Sequence, residues 1–157
     1  MSKKQDKTNA MRILDQKKVP YTSHTYSDVV AGPDVAAALG EDPDRVFKTL
    51  VTVGRSGEHY VFDVPVNREL NLKKAAAAVG EKKIEMIKSK ELLPLTGYIH
   101  GGCSPIGMKK FFRTTFHESA RVCPTIFISG GRIGLQVELS PEALETVISL
   151  DYYNLCD

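Results

Sequence analysis

The sequence predicts an α+β domain built around a curved, mixed β-sheet, and three observations carry that prediction. Strand-like and helix-like segments follow one another without a regular βαβ period. Short runs rich in β-branched and aromatic residues are separated by glycine turns. The 157 residues are 42% hydrophobic and 25% charged, and a chain of this length buries roughly 68–70% of its unfolded surface, enough for one core without a metal or disulfide. Residues 1–157 are therefore expected to form a single domain.

Taken in order, Thr8 is placed to cap a first helix whose apolar side is Met11, Ile13, Leu14 and Val19, with Pro20 as its stop. Residues 21–26 alternate and are rich in strand formers. Pro33 stands at a first helical position before Ala36, Ala37, Ala38 and Leu39, and Gly40 ends that helix. Residues 46–53 and 59–66 read as a hairpin across the turn 54–57. Asn71 caps a helix over 72–79 that Gly80 closes, and 83–88 reads as a second short helical piece. After Pro94, the runs 98–100, 113–116, 125–129 and 135–139 read as strands between glycine-rich turns. Ser140 then caps a last helix, with Pro141 in its first turn and Leu144, Val147, Ile148 and Leu150 as its buried stripe.

Charge excludes some classes of function. The net charge of +2 is far from that of a nucleic-acid coat protein, and the composition is unlike that of a disordered chain. Its distribution is uneven: residues 1–71 are neutral, 72–113 carry +6 and 114–157 carry −4. The basic middle holds Lys73, Lys74, Lys82, Lys83, Lys88, Lys90, Lys109, Lys110 and Arg113. These reach several phosphates if the fold converges them, and are solvated helix faces if it does not. The polar start and the lack of a long apolar run predict a cytoplasmic protein with no membrane partner. Cys103, Cys123 and Cys156 are odd in number and lack CxxC spacing, so reduced thiols are expected rather than a disulfide framework or zinc knuckle.

Among chemical motifs, the most unusual is His100-Gly101-Gly102-Cys103-Ser104-Pro105-Ile106-Gly107, a loop that lets backbone N–H groups approach a ligand. An esterase oxyanion hole would need a GxSxG elbow elsewhere, and the chain has none. The run Gly130-Gly131-Arg132-Ile133-Gly134 lacks the spacing of a nucleotide-binding loop. Cys103 with His100 is formally a nucleophile and base, but a thiol in a glycine loop is more often a small filler. His24, His59, His100 and His117 are scattered, so no metal is expected. Lys48 lies among apolar neighbours in Val46-Phe47-Lys48-Thr49-Leu50-Val51. It either points outward to solvent or brings its ammonium to a cleft, because a buried cation without a partner is costly.

Phe47-Lys48-Thr49-Leu50, the loop 101–107 and Ser129-Gly130-Gly131-Arg132-Ile133-Gly134-Leu135 together resemble the signature segments of the YbaK/EbsC family. Lys7-Thr8-Asn9-Ala10 and Asn71-Leu72-Lys73-Lys74-Ala75-Ala76 extend the resemblance over nearly the whole chain. It implies a barrel-like mixed sheet flanked by helices, shared with the editing domain of some prolyl-tRNA synthetases. The implied activity is trans-editing: a deacylase that clears cysteine mischarged onto proline tRNA, since one pocket separates similarly sized amino acids too weakly.

By the same resemblance Lys48 is the essential lysine, and Gly101, Gly102, Ser104, Pro105 and Gly107 form the loop around the aminoacyl end. Ser129 and Gly130 are a second wall and Tyr26 a pocket tyrosine. Gln136 stands where some relatives carry an Asp, so no acidic role passes to it. The nucleophile is expected to be the substrate's own cysteine thiol, with the protein supplying position and electrostatics. No cofactor and no DNA are implied. The expected partners are the aminoacyl-tRNA acceptor end and, transiently, prolyl-tRNA synthetase. Two alternatives are a deacylase of another small aminoacyl-tRNA such as Ala-tRNA(Pro), and a non-catalytic tRNA- or synthetase-binding module.

Overall fold

The computed structural model describes residues 7–27, 30, 32 and 34–157. In chain order the elements are α1 (Asn9–Gln16), β1 (Thr22–Thr25), α2 (Asp34–Leu39), β2 (Phe47–Gly54), β3 (His59–Pro65), α3 (Leu72–Val79), β4 (Ile84–Met86) and α4 (Ser89–Thr96). They continue with β5 (Arg113–His117), β6 (Ile126–Ser129), β7 (Leu135–Leu139), α5 (Pro141–Glu145) and β8 (Leu150–Tyr153). Five strands form one mixed sheet in the order β4-β2-β3-β5-β8, antiparallel up to β3 and parallel beyond it. Three form an antiparallel sheet in the order β1-β7-β6. The expected α+β class is thus present. The sheets curl toward each other and meet through one parallel bridge, Val46 to Phe127, without closing a barrel among the described residues.

That meeting line is held from outside. Arg45 stacks over the Phe127 ring at 5.4 Å and donates from Nε to the Thr125 carbonyl at 3.0 Å. Glu138 on β7 accepts from Arg45 at 3.3 Å and from His24 of β1 at 2.9 Å. Inside, Phe47, Ile106, Phe116, Ile126, Ile128, Val137 and Leu144 share the main core with Leu14 of α1. A second core packs Ala75, Ala76 and Val79 of α3 on Tyr60, Phe62, Val64 and Ile84. Full burial of a side chain such as Phe62 contributes about 1.5–3 kcal/mol.

Several caps are those the sequence signals. Thr8 Oγ1 accepts from Met11 N at 3.2 Å, Asn71 Oδ1 from Lys73 N and Lys74 N at 3.0 Å, and Ser140 Oγ from Ala143 N at 3.1 Å. Each satisfies N–H groups that a helix start leaves open. The glycine stops after α2 and α3 are also as expected; Gly80 takes φ 74. The expectation for Pro33 lies outside the described residues.

Four expectations are corrected. Residues 83–88 are not helical: Ile84–Met86 is an edge strand, because pairing with Thr52–Gly54 satisfies backbone groups and buries Ile84. Residues 98–100 are not a strand; the preceding α4 runs through Pro94, and Glu91 reaches back to accept from Lys88 N at 3.1 Å. The last helix ends at Glu145, and Leu150 begins β8, which runs parallel to β5. The first helix ends at Gln16, before Pro20, with Lys18 turning the chain at φ 56.

Candidate functional site

The Val46–Phe127 bridge sets the site. The two partners run parallel, so two residues further along each chain come Lys48 and Ser129, delivered to the same end of the seam. Val46, the residue before β2, and Lys48 point to the same side of the extended chain, and Val46 packs with Phe127, Val66 and the half-buried Tyr26. The Lys48 side chain is 27% exposed, with Nζ 3.9 Å from Glu69 Oε1. It is neither freely solvated nor sealed, and its ammonium lies within ion-pair reach of a carboxylate that is itself exposed.

Tyr26 and Gln136 complete this end. Gln136 is in register with both Ser129 and His24, is buried, and donates from Nε2 to Tyr26 Oη at 3.5 Å. Its Oε1 has no partner among the described residues. Ser129 Oγ accepts from Gly131 N at 3.1 Å, which shapes the following turn. Gly130 is bound on both sides, its N–H to the Leu135 carbonyl at 2.9 Å and its carbonyl to the Thr8 hydroxyl.

The loop 101–107 is seated against that turn. A Cβ on Gly102 would lie 2.9 Å from Arg132 Cα, so only glycine permits this approach of two backbones. Gly107 takes φ 81 with Asn9 and Tyr98 close above it; its carbonyl accepts from Asn9 Nδ2 at 3.1 Å. Tyr98 donates to the Ile106 carbonyl. Ser104 is fully buried and its Oγ accepts from Ile106 N at 3.2 Å, so its hydroxyl organises the loop itself. Pro105 is buried and Gly101 exposed at the rim. Ser129 and Gly130 thus follow the bridge toward the end of the seam where Lys48 lies, Tyr26 packs with Val46 and meets Gln136, and the loop of Gly101, Gly102, Ser104, Pro105 and Gly107 is seated on the 130–133 turn.

The loop cysteine is enclosed. Cys103 is buried, and burial first, then the nearby Asp63, push its thiol up to about 12. His100 is exposed and makes no hydrogen bond with it among the described residues. At neutral pH Cys103 is therefore a neutral thiol, a poor nucleophile. Among the described residues no group of three His, Cys, Asp or Glu side chains is arranged to hold a metal, and no helix is long and apolar enough to cross a membrane.

Two polar groups near the site escape sequence reasoning. Asp63 is fully buried on β3, and burial raises its carboxyl to about 8. The one available signal was an acid inside the apolar run Val61-Phe62-Asp63-Val64. His117, at the end of β5, is also buried; its Nδ1 accepts from Leu155 N at 3.0 Å, and burial and Arg68 hold its pKa below the usual imidazole value. Nothing in its sequence surroundings marks it.

Residues 28–147 match the model of the aminoacyl-tRNA editing domain. The chain is 50% identical over 145 residues to EbsC of Enterococcus faecalis, a candidate Cys-tRNA(Pro)/Cys-tRNA(Cys) deacylase, covering 90% of this chain and 88% of that protein. It is 33% identical over 95 residues to a proline–tRNA ligase of Pelobacter propionicus, covering 60% of this chain and 16% of the ligase. The fold matches the crystal structure of a candidate trans-editing enzyme for prolyl-tRNA synthetase with a TM-score of 0.80 at 22% identity, over 95% of each chain. The chain belongs to the aminoacyl-tRNA editing domain family.

Proposed function

We propose that this protein is a trans-editing aminoacyl-tRNA deacylase that clears cysteine mischarged onto proline tRNA. The observation that carries the reading is the half-buried Lys48 at the sheet seam, level with Ser129, in a chain 50% identical to a candidate Cys-tRNA deacylase. The site offers a cation, a close-packed backbone loop and a tyrosine, with the loop thiol held neutral.

Such a site works by placing a substrate that carries its own nucleophile. The Lys48 ammonium holds the aminoacyl ester or the terminal ribose-phosphate, and the backbone of Gly101, Gly102, Ser104 and Gly107, with Pro105 fixing the turn, embraces the aminoacyl end. Backbone N–H groups there face the carbonyl oxygen as charge builds on it. The cysteine sulfur attacks its own carbonyl carbon; a C–S bond forms, the ester C–O bond breaks, and the thiol proton ends on the released ribose oxygen. Tyr26 orients the substrate, and Ser129 with Gly130 forms the opposite wall. The reaction needs no cofactor. Serine esters are spared because a hydroxyl is far less nucleophilic than a thiol at neutral pH.

Residues 1–157 act as one editing unit in the cytoplasm, meeting prolyl-tRNA synthetase transiently as mischarged tRNA is released. The test is ester loss from Cys-tRNA(Pro), Ala-tRNA(Pro) and Ser-tRNA(Pro). Rapid loss of the Cys ester alone is expected. Its survival would sink the proposal, and cleavage of the Ala ester in its place would assign a water nucleophile.

A further inference from the structure

The basic middle of the chain is only partly used by its own carboxylates. Lys74 lies 3.4 Å from Asp157, Lys83 is 2.8 Å from Glu85, and Arg113 is 3.8 Å from Asp151. Lys109 and Lys110 are exposed, and among the described residues neither forms an ion pair. The next residue, Phe111, is 58% exposed, whereas its neighbour Phe112 is buried. Lys110 Nζ lies over the Phe112 ring, 5.4 Å from its centre, a cation–π contact that holds the ammonium at the surface without a carboxylate partner among the described residues.

This segment is continuous with the candidate site. A groove of about 100 Å³ is lined by Pro105 and Gly107 of the glycine loop together with Lys110, Phe111, Phe112 and Thr114. The Lys109 N–H donates to the Thr96 carbonyl at 3.0 Å, which ties the segment to the end of α4. An exposed aromatic ring next to cations that no carboxylate neutralises is the combination by which proteins hold single-stranded nucleic acid: the ring stacks on a base and the cations track the phosphates. A protein partner fits less well, since lysine is depleted at the centres of protein–protein interfaces.

We propose that Phe111, Lys109 and Lys110 form a docking platform for the unpaired RNA acceptor end, Phe111 stacking on a base and the two lysines contacting its phosphates. The inference rests on the editing function proposed above and extends it: the loop holds the esterified terminal nucleotide, and the platform holds a nucleotide just before it. These are positioning residues, remote from the reacting atoms.

The test uses the full chain and two fluorescein-labelled RNA minihelices, one ending in single-stranded CCA and one blunt. Phe111→Ala is expected to weaken binding of the CCA minihelix by about 5- to 100-fold, with Phe111→Tyr restoring most of it and the blunt RNA unaffected. The double variant Lys109→Gln, Lys110→Gln is expected to reduce the slope of log K against log salt by about 1.4, the value for two single-strand phosphate contacts. In deacylation, Phe111→Ala is expected to raise KM rather than lower kcat. Unchanged CCA binding by Phe111→Ala, equal weakening toward both RNAs, or intact RNA binding with lost synthetase binding would each overturn the platform. If the parent protein cleaves no aminoacyl ester, the editing function falls by itself, while the minihelix titrations still decide the platform.

Discussion

Thr49 Oγ1 donates to Asp63 Oδ1 at 2.5 Å across the β2–β3 ladder, and the other carboxyl oxygen of Asp63 has no partner among the described residues. One hydrogen bond does not replace the hydration of a carboxylate, so burial holds Asp63 protonated up to about pH 8. The folded chain then binds a proton that the unfolded chain releases near the ordinary aspartate value, and stability declines as pH rises between the two. The contribution is complete below about pH 4 and is lost by about pH 8, with a slope approaching about 1.4 kcal/mol per pH unit. Urea unfolding from pH 4 to 8 should show this decline in the parent and its removal in Asp63→Asn; equal slopes in both would refute the assignment.

Lys48→Ala should cut deacylation of Cys-tRNA(Pro) by about 100- to 1,000-fold, the range for removal of one preorganised electrostatic group. The side chain is outside the buried core, so thermal unfolding should move little. A variant with full activity would remove Lys48 from the mechanism.

Cys103→Ala should keep deacylation within about twofold, because the nucleophile comes with the substrate and the protein thiol is held neutral. Alkylation at pH 8 should label Cys103 far more slowly in the folded chain than in urea. Loss of activity in Cys103→Ala with an unchanged melting temperature would transfer the nucleophile to the protein.

Gly102→Ala introduces a Cβ 2.9 Å from Arg132 Cα and 3.0 Å from Arg132 C and Ile133 N. Backbone on the far side cannot rotate away, so the loop must lift from the 130–133 turn. Overpacking of this kind costs about 1–3 kcal/mol. Activity should fall by more than the change in melting temperature accounts for, and full activity would show that the close approach is dispensable.

The contrast between 72–79 and 83–88 shows where sequence reasoning succeeds and where it stops. Asn71, the alanine run and Gly80 are local instructions, and each acts on backbone within a few residues of itself. Ile84–Met86 carries no such instruction; it becomes a strand because the edge of β2 offers it hydrogen bonds. Likewise β8 exists because β5 lies open beside it, and Leu150 reads as a helical residue until that neighbour is known.

The candidate site divides along the same line. Local composition alone marks Lys48 as anomalous in an apolar strand and 101–107 as a backbone-lined loop, and the joint pattern of three segments discloses the family. Tertiary structure decides that Lys48 and Ser129 share one end of a seam, that Ser104 turns inward, and that Asp63 is sealed with no second partner among the described residues. It also decides which cations of the basic middle are neutralised and which remain beside Phe111. The physical reason is range: caps, turns and glycine conformations act along the chain over a few residues, whereas burial, charge pairing and strand adjacency are set by residues tens of positions away, which only the folded chain brings together.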